Sequence, residues 1–348
     1  MTTPISLMTT YRLYVGVDIA AKTFTASWMT PEGRPSPALS FDQSPAGFAA
    51  LQEHLQATGV APAATLVVLE ATSSYWVALA VTLHTTGYAV SVVNPAKVHN
   101  YAKSLPRRGK TDQLDGQLLT RFAAERHPEP WTPPPAIYHE LRQRLMARDG
   151  LLEMRKQARN QLHALLQWPV VVPAVQQQLE GVIASLDEQI RILDAAIVEV
   201  LAAGAWGASA LRLESIPGIG PLTAAWILVT TVHFALCPTP EAAVGYAGLN
   251  PLEASSGTSL QRRPAIGHGG NRRLRTALYL AAVSATQHNP VIKAFYTRLR
   301  AAGKPPKVAR CAAARKLLCI AWAVVTKEQV FDPACRAERQ VPGVQAAA

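Results

Sequence analysis

The sequence lacks the features that mark secreted, membrane-spanning and disordered proteins. Its four cysteines are scattered and include no C-x-x-C pair, which argues against a disulfide framework or structural zinc site and fits a reducing cytoplasm. No apolar run reaches the length of a membrane span, and the first ten residues lack the regions of a signal peptide. With 49% hydrophobic and 16% charged residues, the chain can build hydrophobic cores. We therefore expect a cytoplasmic protein with no membrane partner.

Acidic residues are missing from a long C-terminal stretch. Residues 254–327 contain 14 Lys and Arg and no Asp or Glu. Because the whole chain has 34 basic and 23 acidic residues, the remainder carries 20 basic and 23 acidic ones, so the excess of +11 arises entirely from this stretch. Charge of one sign over such a length costs self-repulsion, which favours a polyanionic partner and indicates nucleic acid. A basic surface that serves only solubility is the alternative.

The N-terminal part has the pattern of an α/β domain. Short apolar, β-branched runs predict strands at 13–19, 24–29, 38–41, 66–70 and 89–93, and helices are predicted at 45–58, 75–86 and 111–126. An early antiparallel meander followed by alternating helices and strands predicts a mixed sheet with helices on its faces. The proline-rich segment 127–135 cannot continue a helix and marks a boundary. The predicted divisions are residues 1–130, 131–205, 206–331 and a loose tail at 332–348.

A heptad pattern lies in the second division, after a helix predicted at 138–167 and interruptions by proline. Its members are Leu179, Ile183, Leu186, Ile190, Leu193, Ile197 and Val200. Spacings that alternate between four and three residues are typical of a coiled coil. Two long helices split by proline indicate a helical hairpin or an oligomerising arm. We favour self-association slightly over packing of this face on the same chain.

Four acidic residues form the strongest candidate site. Asp18 and Glu70 each end a β-branched run, and Asp112 and Asp115 stand three apart on a predicted helix, so the last two share a face. Carboxylates at strand ends and on a nearby helix can converge on Mg²⁺ or Mn²⁺, and such metal clusters cleave phosphodiesters. Singly, each acid is more often a helix cap or a solvated charge, and Asp112 in particular is suited to cap its helix. The four in this order favour a metal site.

Two further motifs indicate contact with nucleic acid. The run P-G-I-G-P-L-T-A resembles a helix-hairpin-helix turn, in which Gly218 and Gly220 let backbone amides approach a phosphate. An ordinary turn between helices is the alternative. A serine-rich segment, Gly245 to Ser259, is followed by arginines that can contact phosphates and that stand near it in sequence. These arginines are Arg262, Arg263, Arg272, Arg273 and Arg275.

The serine cluster has two interpretations. A serine hydroxyl that attacks a phosphodiester forms a covalent phosphoserine, which retains the bond energy for rejoining strands. On composition alone, a flexible serine-rich loop is the better interpretation.

Taken together, these motifs resemble the DEDD transposases of bacterial insertion sequences, which are recombinases guided by a bridge RNA. The resemblance covers nearly the whole chain, through G-V-D-I-A-A-K, L-E-A-T, K-T-D-Q-L-D, E-S-I-P-G-I-G, Y-A-G-L-N-P, S-G-T-S and G-N-R-R-L-R. It implies an RNase H-like (RuvC-type) N-terminal domain, a coiled-coil segment and a mostly helical C-terminal transposase domain.

The resemblance also assigns roles to individual residues. It implies that Asp18, Glu70, Asp112 and Asp115 bind the metal, and that the serine opening the S-G-x-S element, here Ser256, is the nucleophile. Because this chain reads S-S-G-T-S, Ser255 and Ser259 remain alternatives. The implied partners are DNA and a noncoding bridge RNA encoded by the element, with the RNA supplying most of the sequence choice.

The predicted function is transposition of an insertion sequence by a homo-oligomer, dimer or tetramer, in the bacterial cytoplasm at the nucleoid. One alternative is a RuvC-type junction nuclease that uses metal-bound water and leaves no covalent adduct. Another is a non-catalytic nucleic-acid-binding protein in which the acids are structural. G-V-D-I-A-A-K also suits the phosphate turn of sugar kinases and actin-like ATPases, but the basic C-terminal stretch and the lack of later glycine-rich phosphate loops argue against that class.

Overall fold

The computed structural model describes residues 11–71, 73–105, 112–256, 260–267 and 269–334, with the side chains of 112–114 and 252–265 left out of the description. The chain forms two compact units, which divide between Pro133 and Pro134. This division falls inside the proline-rich segment, where residues without a backbone N–H cannot continue a helix.

The first unit contains a five-stranded mixed sheet. Its strands are β1 (Leu13–Ile19), β2 (Thr23–Met29), β3 (Leu39–Asp42), β4 (Thr65–Glu70) and β5 (Ala89–Val93). Their order is β3-β2-β1-β4-β5. Strand β1 is parallel to β4, which is parallel to β5, and β2 is antiparallel to both of its neighbours. The predicted mixed sheet is therefore confirmed.

Helices cover both faces of this sheet. They are α1 (Pro45–Gln56), α2 (Trp76–Thr85), α3 (Pro95–Lys103) and α4 (Asp112–Arg126). Side chains of α1 and α2 pack with one face of the central strands, and side chains of α3 and α4 pack with the other. The central strands are continuous apolar runs because they are buried on both faces.

Helix α3 was not predicted from the sequence. It begins at Pro95 and is capped by Asn94, whose side chain accepts a hydrogen bond from the Ala96 amide at 2.8 Å. Its only apolar contacts to the core come from a few residues such as Val98 and Tyr101. An Asn-Pro pair at the end of a strand also favours a turn, so Asn94 and Pro95 do not by themselves indicate a helix of nine residues.

The second unit is mostly helical, as predicted. Its helices are α5 (Ala136–Leu165), α6 (Pro173–Ala203), α7 (Gly207–Glu214), α8 (Pro221–Thr231), α9 (Pro240–Ala247), α10 (Arg272–His288), α11 (Pro290–Ala301) and α12 (Pro306–Thr326). Strands β6 (Pro251–Ser256) and β7 (Leu260–Ile266) form a separate antiparallel pair between α9 and α10. Side chains from α7 to α12 make one large core. The beginning of α5 and the end of α6 also contribute side chains to this core.

The heptad face packs partly on the same chain, and self-association of this segment stays a prediction. Helices α5 and α6 form an antiparallel hairpin in which Ile190 and Ile197 of the heptad are buried. Ion pairs along the seam, Arg148 with Asp194 and Arg155 with Asp187, fix its register. A heptad pattern identifies a helix that needs a partner, but it does not specify whether that partner belongs to another molecule.

The serine-rich segment also differs from the interpretation as a flexible loop. The backbone of Ser255 and Ser256 lies in β6, paired with Gln261 and Leu260 of β7. Serine and glycine content suggested a loop because neither residue favours strands. The backbone pairing across the hairpin outweighs this weak local preference.

Within the part of the chain that the structure describes, no single helix is long and apolar enough to cross a membrane. Helices α6 and α7 together meet that test of length and composition, but they are bent by 113° at their junction.

Candidate active site

Asp18 and Glu70 lie at the ends of neighbouring parallel strands. The recorded register pairs Val17 of β1 with Leu69 of β4, so the next residue on each strand, Asp18 and Glu70, occupies adjacent positions. Neighbouring strands are about 4.8 Å apart, which places the two Cα atoms within reach of one ligand. Ligands commonly bind at the carboxyl edge of parallel strands.

Both carboxylates belong to the sheet face that α4 covers. Side chains alternate along a strand, so Asp18 shares a face with Tyr14, and Glu70 shares a face with Val68. Tyr14 and Val68 are buried in one cluster with Leu119 of α4. Asp18 and Glu70 are themselves half-buried and have interactions with neighbouring groups.

Helix α4 runs antiparallel to β1, with its first turn at the carboxylate edge. Gly116 lies beside Thr25, which pairs with Asp18 across β1 and β2. At the opposite end of the helix, the His127 ring contacts the Tyr14 hydroxyl at 3.3 Å. Asp115, half-buried and next to Gly116, is therefore at the same edge as Asp18 and Glu70. Asp112 begins this helix, although its side chain is outside the described atoms.

Gly16 allows α4 to approach the sheet. A Cβ atom at this position would lie 2.1 Å from the Thr120 backbone nitrogen and 2.6 Å from the Gly116 oxygen. The hydroxyl of Thr120 donates to the Ser27 carbonyl oxygen at 2.9 Å, which fastens the helix to β2. The close backbone contact at Gly16 thus determines how near the first turn of α4 comes to Asp18.

We expect Gly16→Ala to separate α4 from the sheet and to lower the stability of the protein by about 1–3 kcal/mol through overpacking. Gly116→Ala is the matched control, because its added Cβ would lie 3.5 Å from the nearest atom, the Thr25 carbonyl oxygen. Thermal unfolding of both variants measures the difference. Equal stability of the two variants would refute this role for the approach at Gly16.

The donor chemistry at this edge fits a divalent metal. Oxygen donors from a few carboxylates are what Mg²⁺ and Mn²⁺ accept. Within the side chains that the structure describes, no group of three or more His, Cys, Asp or Glu residues is close enough to hold a metal ion. Asp112 is not among those side chains, and the other three members of the predicted tetrad, Asp18, Glu70 and Asp115, do not by themselves form such a group.

The predicted nucleophile belongs to the second unit. Ser256 forms the last recorded pair of the β6–β7 ladder, with Leu260, and Ser255 pairs with Gln261. The two serines therefore take different places in the backbone ladder. Ser259 lies outside the described residues.

The two glycines of the predicted helix-hairpin-helix turn have different surroundings. Gly218 has a φ of +106°, and an added Cβ would lie 2.6 Å from the Cβ of Ala285 in α10. The adjoining Pro217 oxygen accepts a hydrogen bond from the buried Asn289 side chain at 3.3 Å. Gly220 is exposed and precedes α8, with no atom within 4 Å of an added Cβ. Packing explains Gly218, whereas Gly220 is the one open to a ligand.

The predicted arginines also divide by their contacts. Arg273 pairs with Asp149 of α5 at 3.0 Å and lies over the Trp226 ring, and Arg275 donates to two backbone oxygens. Arg272 is exposed. The side chains of Arg262 and Arg263 are in the part of β7 that the structure does not describe.

Exposed cations on α11, α12 and their connection were not singled out from the sequence. They belong to the stretch without acidic residues, which was the available signal, but their exposure required the fold. These residues are Lys293, Arg298, Arg300, Lys304, Lys307 and Arg315. A row of exposed cations without interspersed acids attracts phosphate backbones.

Two family models match this chain. The model for DEDD transposases of the IS110 type, described as a transposase, matches residues 15–168. The model described as the transposase IS116/IS110/IS902 family matches residues 210–297.

The chain is also similar to gene-inverting proteins and to a protein of an insertion element. Proteins named pilin gene-inverting protein, from Moraxella lacunata and Moraxella bovis, are each 31% identical to this chain over 323 residues, covering 92% of it and 98% of the relative. An uncharacterized 43.6 kDa protein of insertion element IS110 from Streptomyces coelicolor is 34% identical over 179 residues, which is 51% of this chain and 41% of that protein.

The α/β unit, the helical unit and these matches define a transposase, a DNA-binding enzyme of DNA recombination. The chain belongs to the IS116/IS110/IS902 family of insertion-sequence transposases. DEDD transposases are generally metal-dependent, which agrees with the oxygen donors at the carboxyl edge of the sheet.

Proposed function

We propose that this transposase moves an insertion sequence by Mg²⁺- or Mn²⁺-dependent strand cleavage and exchange through a phosphoserine intermediate. The observation that carries the proposal is the position of Asp18 and Glu70 on adjacent parallel strand ends, beside the first turn of α4. The strand order, with β2 antiparallel to its neighbours, supports an RNase H-like (RuvC-type) fold for this unit.

In this proposal the acids Asp18, Glu70, Asp112 and Asp115 hold the metal. When bound, the metal stabilises the negative charge that develops on the scissile phosphate and its leaving oxygen. The four carboxylates would orient the metal and would exclude competing ligands from the edge of the sheet. The half-burial of Asp18 and Glu70 supports this role, because a partly dry site strengthens electrostatic interactions.

The proposed nucleophile is the hydroxyl of Ser256. Its oxygen forms a bond to phosphorus while one bond from phosphorus to a deoxyribose oxygen breaks, and the departing oxygen takes a proton. The Ser256 ester conserves the energy of the original phosphodiester. Attack by the hydroxyl of a second strand then releases the serine and joins the two DNA segments.

We further propose that the enzyme works as a homo-oligomer, a dimer or tetramer, in which the acids and the serine come from different protomers. The division of these residues between two compact units supports this arrangement. Exposed apolar side chains around the turn between α5 and α6, namely Leu166, Trp168, Val170 and Val172, support self-association, because apolar surface of this kind marks interaction sites.

Target choice is proposed to come from a noncoding bridge RNA encoded by the element, in the bacterial cytoplasm at the nucleoid. The resemblance to bridge-RNA-guided recombinases supports the RNA, and the exposed cations of α11 and α12 offer a surface for a polyanion. The Moraxella relatives are named for the inversion of a pilin gene, and because inverting a DNA segment requires strands to be cut and rejoined, these names support strand exchange.

The test of this proposal combines purified protein, Mg²⁺ and DNA carrying the element ends, with and without a transcript of the flanking noncoding DNA. We expect strand exchange only when the transcript is present, because in its absence the protein contacts backbone and shape but not sequence. A scrambled transcript of equal length is the control. Equal strand exchange with the scrambled transcript would contradict guidance by the RNA.

A further inference from the structure

The two ends of the β6–β7 hairpin meet at one place, here called the neck, which consists of residues 246–248 and 269–271. The Asn271 amide donates to the Tyr246 oxygen at 2.7 Å. An added Cβ on Gly270 would lie 2.5 Å from the Gly248 nitrogen. The neck therefore joins the hairpin to α9 on one side and α10 on the other.

Arg275 connects both strands of the neck. Its Nη1 atom donates to the Ala247 oxygen at 3.1 Å and to the Gly269 oxygen at 2.8 Å. The side chain is half-buried in the first turn of α10, whose Leu274 and Leu278 are fully buried in the core of the second unit. Hydrogen bonds from a charged donor are roughly twice as strong as neutral ones, so one guanidinium holds the neck against the core.

The neck leaves no space for larger residues. Gly248 and Gly270 have φ values of +68° and +82°, a backbone conformation that favours glycine. A Cβ on Gly248 would lie 2.2 Å from the Gly269 oxygen and 2.3 Å from Arg275 Nη1. Any side chain at this position must open the neck and displace Arg275.

From these contacts we infer that Arg275 is a positioning residue that holds the serine-bearing hairpin on the helical core, and not a phosphate contact. The inference rests on the proposed role of Ser256. The guanidinium already donates to two backbone oxygens within the chain, and a bound phosphate would have to compete with them.

The length of the hairpin amplifies small changes at the neck. Strands of six and seven residues reach about 20 Å from the neck, so a tilt of about 10° displaces the far end by about 3–4 Å. A misplacement of about 1 Å in a reacting group can cost about 100-fold in rate. Loss of the Arg275 contacts should therefore reduce the reaction rate while leaving DNA binding intact.

The experiment compares full-length Arg275→Ala and Gly248→Ala with the wild type on element-end DNA. Gly245→Ala is the control, because an added Cβ there has Asn250 Nδ2 at 3.7 Å as its nearest atom. We expect both neck variants to form the covalent adduct about 100-fold more slowly at saturating DNA, with DNA affinity and its salt dependence unchanged. Weaker DNA binding with a salt slope reduced by about one, and a normal rate at saturation, would overturn the inference.

Hydrogen exchange of the backbone amides in 249–256 and 260–266 tests the neck independently of the chemistry. Faster exchange in both variants, with the exchange of α10 unchanged, supports the inference. If the wild type forms no covalent adduct, this result still supports the role of Arg275, and only the assignment of Ser256 as the nucleophile fails. Unchanged exchange in both variants refutes the role of Arg275 whatever the nucleophile is. Gly248→Ala keeps the test informative if Arg275→Ala does not fold.

Discussion

Asp18→Asn is expected to reduce strand cleavage by on the order of 10³-fold or more while DNA binding remains within a few-fold of the wild type. Asparagine keeps the size of the side chain but removes the negative charge that a metal ligand supplies at the end of β1. Loss of metal stabilisation of the phosphoryl transition state costs several kcal/mol, and each 1.4 kcal/mol is about tenfold in rate. Cleavage of labelled element-end DNA over a range of Mg²⁺ concentrations measures the effect.

Asp115→Asn should behave in the same way, because α4 brings this residue to the edge where Asp18 and Glu70 lie. Glu53→Gln is the matched control, since Glu53 is an exposed acid of α1, on the opposite face of the sheet. If Asp18→Asn and Asp115→Asn both cleave at the wild-type rate, the acids are structural and the protein does not use this edge for chemistry.

Ser256→Ala is expected to abolish strand exchange, with a residual rate at least 10³-fold below the wild type, because a methyl group cannot form the covalent intermediate. Ser255→Ala is the closest control. Ser255 precedes Ser256 in β6 and pairs with a different residue of β7, and this variant should retain most of the activity. Ser259→Ala tests the remaining alternative in S-S-G-T-S. Assays of joined product, with DNA binding measured in parallel, distinguish lost chemistry from lost affinity.

Mixing Asp115→Asn with Ser256→Ala gives a further comparison. Partial recovery of activity in the mixture is expected if the acids and the serine act from different protomers. Full strand exchange by Ser256→Ala alone, or inactivity of Ser255→Ala with normal activity of Ser256→Ala, would contradict the assignment of the nucleophile.

The strands that carry the acids were predictable because they are short, continuous β-branched runs buried on both faces. Asp18 and Glu70 stand where those runs end, so their meeting at one edge follows once β1 and β4 are parallel neighbours. The approach of α4 was not predictable, because it depends on the close contact of its backbone with Gly16, and glycine has many other uses.

The second unit shows where local patterns are insufficient. The heptad of α6 identified an apolar face but not its partner, which is α5 of the same chain. The arginines after the serine segment look alike in sequence, yet Arg273 and Arg275 have partners within the chain and Arg272 is exposed. Only the positions of their partners, the Asp149 carboxylate for Arg273 and two backbone oxygens for Arg275, separate these roles, and those positions depend on long-range packing.

The central claim is that the acids and Ser256 form one phosphoryl-transfer site, and the most direct test is to identify the residue bonded to DNA. The wild-type protein is incubated with element-end DNA and guide transcript, with Mg²⁺ or with EDTA, then denatured, digested and analysed by mass spectrometry. We predict a deoxyribose phosphate on Ser256 in the Mg²⁺ sample and none in the EDTA sample. Cleaved DNA with free ends and no protein-bound phosphate would contradict this account and identify a hydrolytic nuclease.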